Sequence, residues 1–119
     1  MKTQSFTLHT ERQGCYDITA AVRKCIRDAG LQSGICTVFC PHTTAGILIR
    51  ENTAARHAEQ KTEIGSVCHS ARASETLIVE NGEPLFGTWQ SLYFVECDGP
   101  STRTYFVKVM ADMELCGRA

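Results

Sequence analysis

A chain of 119 residues, 43% hydrophobic and 21% charged, is expected to be one domain (residues 1–119) with a single core. A formal net charge of −1 gives no electrostatic case for binding nucleic acid or an anionic membrane. No run approaches the ~18 apolar residues of a membrane span, and "MKTQSFTLHTERQG" has no signal-peptide core, so the expectation is a cytoplasmic protein.

In chain order, residues 3–9 predict a first strand, which Gly14 breaks. Asp17 reads as an N-cap for a helix over 18–29, in which Ile18, Val22, Cys25, Ile26 and Ala29 form one apolar stripe. Gly30 fits the stop just beyond it. Two apolar runs, 34–40 and 45–50, are joined by Pro41-His42-Thr43-Thr44, a length that suits a hairpin. Residues 53–73 are irregular, with Thr62 as a cap for a short helix over 63–71. A strand over 75–80 ends in an Asn81-Gly82 turn. "FGTWQSLYFVE" and "TRTYFVKVMAD" give the last two strands, linked tightly through Asp98-Gly99-Pro100. The tail "DMELCGRA" is expected to be loosely ordered. The fold class is therefore α+β: a β-rich sandwich of mainly antiparallel strands with one main helix.

The seven cysteines are an odd number, contain no C-x-x-C pair and fall mostly on apolar faces. They are expected to be reduced, acting as small hydrophobes. Along 88–96, period-2 alternation puts Gln90, Leu92, Phe94 and Glu96 on one face and Trp89, Ser91, Tyr93 and Val95 on the other. If the first face is buried, Glu96 needs a partner or a raised pKa. Gly87 allows close backbone approach, while Trp89 and Gln90 offer a flat surface and an amide suited to a planar heteroaromatic ring. No paired-histidine or zinc spacing occurs, and there is no phosphate loop or nucleophile elbow.

Four blocks taken together are specific: "HTTAGILIREN" at 42–52, "HAE" at 57–59, "VENG" at 79–82 and "FGTWQSLYFVECDGP" at 86–100. From about residue 3 to 110 the chain resembles the YjbQ family, named secondary thiamine-phosphate synthase enzymes. The family pattern runs H-T-[TS]-A…N, then H-x-E-G-N-S-x-A-H, then L-G-T-W-Q…E-x-D-G-P. The resemblance implies a compact β-rich α+β sandwich, a homotrimer, and weak thiamine phosphate synthase activity. That reaction joins an aminopyrimidine methyl diphosphate to a thiazole phosphate. It also implies a cleft in which His42, Asn52, His57 and Glu96 are catalytic candidates, and Thr43, Thr44, Thr88, Trp89, Gln90 and Arg103 substrate contacts. His57, Glu59 and His69 are candidate ligands for a divalent metal, Mg²⁺ or Zn²⁺. Glu51 and Asp98 are further candidate carboxylates, and Lys61 a phosphate contact.

The match departs from the pattern in the histidine block, where Gln60, Lys61 and Gly65 replace Gly, Asn and the second His, and at Ser101, where Arg is common. A family segment of about two dozen residues is also missing between Ala55 and Arg56. Because both flanks match up to the junction, the expectation is a mobile charged flap that the protein carries but the sequence lacks. Ala55 and Arg56 would then lie farther apart than the ~3.8 Å of bonded Cα atoms. The alternative to the enzyme is a trimeric small-ligand or metal-binding protein without efficient catalysis.

Overall fold

A computed structural model describes residues 2–112. Eight strands and three helices run in the order β1 (Thr3–Thr10), β2 (Gly14–Asp17), α1 (Thr19–Asp28), β3 (Gly34–Phe39), β4 (Ala45–Glu51), α2 (Ala54–Thr62), α3 (Ile64–Ser70), β5 (Ser74–Glu80), β6 (Glu83–Pro84), β7 (Gln90–Glu96) and β8 (Ser101–Ala111). They form a five-stranded sheet, β1-β8-β3-β5-β6, and a three-stranded sheet, β2-β7-β4, and every strand pairing is antiparallel. The α+β expectation holds.

The inner faces of the two sheets and the stripe of α1 enclose the main core. Val22, Cys25 and Ile26 of α1 meet Cys36, Val38, Ile47, Leu77, Val79, Leu92, Phe94, Tyr105, Val107 and Val109. The helix starts where Asp17 Oδ1 accepts from the Thr19 amide at 2.9 Å. The Asn81-Gly82 turn forms as expected, both residues having positive φ (52° and 77°), as a two-residue hairpin turn of this type requires.

Other expectations are corrected. The two runs around Pro41–Thr44 do not form a hairpin. β3 pairs with β5 and β8, whereas β4 pairs with β7, so the connection is an arch from one sheet to the other. A four-residue link fits either geometry, and only the burial of both strands on facing sheets decides it. Sequence reading also missed β2 and α2. Thr53 caps α2 by accepting from the Arg56 amide at 3.3 Å, and Thr62 ends that helix rather than capping the next. Helix α2 spans the Ala55–Arg56 junction, with the His57 amide donating to the Thr53 carbonyl at 2.9 Å. Cys68 and Cys97 form a disulfide, with Cα atoms 5.8 Å apart. Folding brings them together across 29 residues, a proximity that spacing does not reveal. Cys15, Cys25, Cys36 and Cys40 are free, and Cys116 lies outside the described residues, as does all of the tail after Asp112. No helix among the described residues is long and apolar enough to cross a membrane.

Glu96 has no exposed surface and is held by the opposite sheet. The Arg103 guanidinium donates to both its oxygens, through Nε at 2.7 Å and through Nη2. Thr10 Oγ1 donates at 2.7 Å and the Asp98 amide at 3.1 Å. The Arg103 guanidinium, aided by the other donors, holds the Glu96 carboxyl down at about 2 despite its burial. Because this lies below the ordinary value of 4.5, the pair contributes stability above about pH 4.5 and loses it as pH falls toward 2. Glu96→Gln leaves a buried guanidinium short of its counter-charge and is expected to cost about 3–5 kcal/mol. Urea unfolding from pH 7 to pH 2.5 checks this: wild-type stability falls steeply over the acid range, and the variant starts lower and falls less.

Candidate functional site

Along the edge of β2 lies an open cleft of about 890 Å³. One wall is the arm formed by α2 and α3, through His57, Gln60, Lys61 and Ile64. The other is the β1–β2 loop, from Glu11 to Gln13, with the Asp98–Pro100 turn. Cys15, Asp17, Asn52 and Tyr93 also line it. Alternation along β7 turns Tyr93 and Val95 away from the main core, where they form a second small cluster with Leu48 and Val67.

Asn52 follows β4 directly, and α2 begins two residues later, so His57 is one helical turn away from it. His57 Nε2 donates to Asn52 Oδ1 at 2.6 Å. The amide nitrogen of Asn52 donates in turn to Ser91 Oγ at 3.2 Å and to Asp17 Oδ2 at 3.4 Å, and these acceptors fix which way the amide faces. The chain from Asp17 through Asn52 leaves Nδ1 of His57 as the basic nitrogen, with no hydrogen-bond partner among the described residues. Tyr93 is 3% exposed, and its hydroxyl makes no hydrogen bond among the described residues either. Burial, with Asp17 and Cys15 nearby, raises its pKa against smaller opposing pulls from Ser91 and Arg50, so the phenol stays protonated, its oxygen enclosed behind the cleft wall.

The expected site residues divide among several places. Asn52 and His57, two of the positions that match the family pattern, meet in the cleft. His42 serves the arch: its Nε2 accepts from the Thr104 amide at 3.0 Å, which ties the arch to β8. Thr44 accepts from Arg103 Nη2 at 2.9 Å, and Thr43 is exposed. Arg103 and Glu96 saturate each other inside the fold and do not line the cleft. Thr88 is exposed, and Trp89, 64% exposed, contributes its carbonyl to the Asn52 amide but no side chain to the cleft. The Gln90 side chain accepts from the Gly87 amide at 2.8 Å, filling the close approach expected for a ligand.

The metal set does not assemble. On an extended loop His57 and Glu59 would share a side, but on α2 they are ~200° apart. Glu59 instead faces Arg50 at 3.0 Å and Arg56 at 2.8 Å, and these guanidinium groups lower its pKa. Glu51 joins the same network through Arg56 at 3.3 Å. His69 is exposed on α3, a separate helix from that of His57. Among the described residues no three His, Cys, Asp or Glu side chains are placed to hold a metal ion. Of the candidate carboxylates only Asp98 lines the cleft, together with Glu11 and Asp17. Sequence reading missed Tyr93, Asp17 and Arg12 as cleft residues. The signal for Tyr93 was its place among apolar residues on the face opposite Glu96.

The family model described as UPF0047 protein YjbQ-like matches residues 4–67 and 56–112. UPF0047 protein YugU of Bacillus subtilis is 38% identical over 122 aligned positions that cover 85% of this chain and 92% of the relative. A UPF0047 protein of Methanocaldococcus jannaschii is 31% identical, with 86% of this chain and 88% of the relative covered. Among solved structures, an uncharacterised YjbQ/UPF0047 family protein of Clostridium acetobutylicum superposes with a TM-score of 0.83 at 33% identity, over 90% of this chain and 99% of that one. A YbjQ-like protein of unknown function from Sulfolobus solfataricus gives 0.83 at 26%, over 93% and 97%. In the Bacillus alignment, 85% of 119 residues is about 101, so about 21 of the 122 positions have no counterpart here. The two stretches matched to the family model overlap at 56–67, as a chain shortened near this point would produce. On these matches, this chain belongs to the UPF0047 YjbQ-like family.

Proposed function

We propose that the cleft binds a small phosphorylated metabolite and that His57 acts there as an acid–base group. The observation that carries this reading is the pairing, in one cleft, of an oriented histidine with a buried phenol that has no partner. A protein interior rarely leaves a buried hydroxyl unsatisfied, because doing so costs about 1–3 kcal/mol. A ligand oxygen that accepts from Tyr93 removes that cost. Lys61 and Arg12, on opposite walls, supply positive charge for a phosphate.

The finer reading is the synthase reaction of the family resemblance. There the thiazole nitrogen forms a C–N bond to the pyrimidine methylene carbon while the C–O bond to the diphosphate breaks. Lys61 and Arg12 would receive the departing diphosphate, and His57 Nδ1, once protonated, would donate to it. The missing ring platform argues for a low rate, since Trp89 and Gln90 do not face the cleft. The binding-only alternative uses the same residues without turnover. Self-association is a further part of the proposal. The outer face of the five-stranded sheet carries Met110, Ile35 and Ile78 in one cross-strand row and Phe106 beside Phe39 in another, and no helix among the described residues covers it.

Each part has its own measurement. Incubated with both substrates, the protein is expected to form thiamine phosphate slowly, and His57→Ala to lower the rate by about 10²–10⁴-fold. No product from the wild type leaves binding alone. Calorimetry of the ligand-free protein is expected to show Tyr93→Phe no less stable than wild type, since it removes an unpartnered hydroxyl; a fall above about 1 kcal/mol would mean that the hydroxyl is already satisfied. In light scattering the particle mass is expected to be three times the 13.1 kDa of the chain, falling to one in Ile78→Lys. A wild-type monomer at micromolar concentration ends the trimer proposal.

A further inference from the structure

The disulfide joins the two walls of the cleft. Cys68 lies on α3 one turn beyond Ile64, a residue of the arm wall, and Cys97 directly precedes Asp98 of the opposite wall. Apart from this bond the arm is lightly attached. α2 buries none of its side chains, and α3 buries only Val67. Arg50, mostly buried, pairs with a half-exposed Glu59, and the Arg56–Glu51 pair lies at the surface, where such pairs contribute little. Both cysteines pack against the small cluster of Leu48, Val67, Tyr93 and Val95, and neither belongs to the main core. Both are only half-buried.

We propose that Cys68–Cys97 is a redox-sensitive clamp that sets whether the cleft is formed. With the bond intact, the arm is held against the β2–β7 edge. With it open, the arm keeps the packing of Ile64 and Val67, the Arg50–Glu59 pair and the His57–Asn52 hydrogen bond, too few to hold it in place; His57, Gln60 and Lys61 leave the cleft, while the two-sheet core stays folded. The reductant is a dithiol. One of its thiolates attacks a sulfur of the bond, releasing one cysteine thiolate and forming a mixed disulfide. Its second thiol then displaces the other cysteine and leaves as an oxidised disulfide. Two electrons pass to the protein, and the two protons of the dithiol end on Cys68 and Cys97. Cys15 shares the face and the cluster, but burial raises its pKa and keeps it a protonated thiol, a poor nucleophile for scrambling the bond. Regulation of ligand binding rests on the cleft being the ligand site, whereas the clamp itself does not.

Hydrogen exchange read by mass spectrometry separates the two. In oxidised protein, alkylation under denaturing conditions is expected to leave residues 68 and 97 unmodified and linked. Adding dithiothreitol to the folded protein is expected to speed amide exchange across 54–70 by at least about tenfold, with β3, β5 and β8 unchanged. Cys68→Ser is expected to show the fast pattern without reductant, and Cys15→Ser to show the wild-type exchange pattern with and without dithiothreitol. The proposal fails if the air-oxidised protein carries free thiols at 68 and 97, if Cys15 takes either place, or if reduction leaves 54–70 unchanged. It also fails if the core strands accelerate equally, which would make the bond a general staple. If Cys68→Ser does not fold, titrating the wild type with dithiothreitol gives the same reading. Inorganic pyrophosphate is the ligand probe, measured by calorimetry in both redox states. If it binds neither state while the arm still loosens on reduction, the cleft assignment fails and the clamp stands.

Discussion

The buried ion pair of Glu96 and Arg103 is the constraint on which the rest of the molecule depends. Glu96 ends a strand of the smaller sheet, and Arg103 lies near the start of a strand in the larger one. The same two groups gather Thr10 from the end of β1 and Thr44 from the arch. Three connections between the sheets therefore converge on one charge pair. In so dry a setting a carboxylate persists only with all its acceptor positions in use, and here four donor contacts meet it. Gly99 belongs to this arrangement. It has a φ of 59°, and a Cβ there would lie 2.9 Å from Glu96 Cγ. The Glu-Cys-Asp-Gly-Pro stretch is thus a packing requirement at the turn, and its Asp98 is placed at the cleft as a result.

The residues that prompted a functional reading accordingly do two kinds of work. His42, Thr44, Glu96 and Arg103 hold the sheets in register from inside. Asn52 and His57 face a cleft that exists because the sheets are held that way. Asp17 connects the two, since one of its oxygens starts α1 and the other receives the Asn52 amide. An error in the placement of α1 would reach the histidine through three hydrogen bonds.

Much of the fold was legible because its signals are local. The stripe of α1, the Asn81-Gly82 turn and the alternation along β7 each come from a short window of sequence. The sheet assignment was not legible, since a four-residue link between two apolar strands fits a hairpin and an arch alike. The α2 segment was obscure because it buries nothing, so its helicity left no apolar stripe to read. The expected site residues scatter for a related reason. Polar interruptions of an apolar pattern mark buried polar groups, and the sequence does not say whether such groups meet a ligand or one another. Tyr93 escaped because a tyrosine among apolar neighbours reads as core until its hydroxyl is seen to lack a partner.

The chain changes sheet at nearly every connection, and the first strand pairs along its whole length with the last. Most strand partners are therefore far apart in sequence, and few contacts are available to reward early collapse. During synthesis, β1 and β3 emerge long before β8, the strand that lies between them. Until β8 leaves the ribosome, both present unpaired backbone edges, and the apolar face of α1 has only part of its seat. Such a topology places this small protein among the slower folders of its size, with its greatest exposure to aggregation just before the chain is complete.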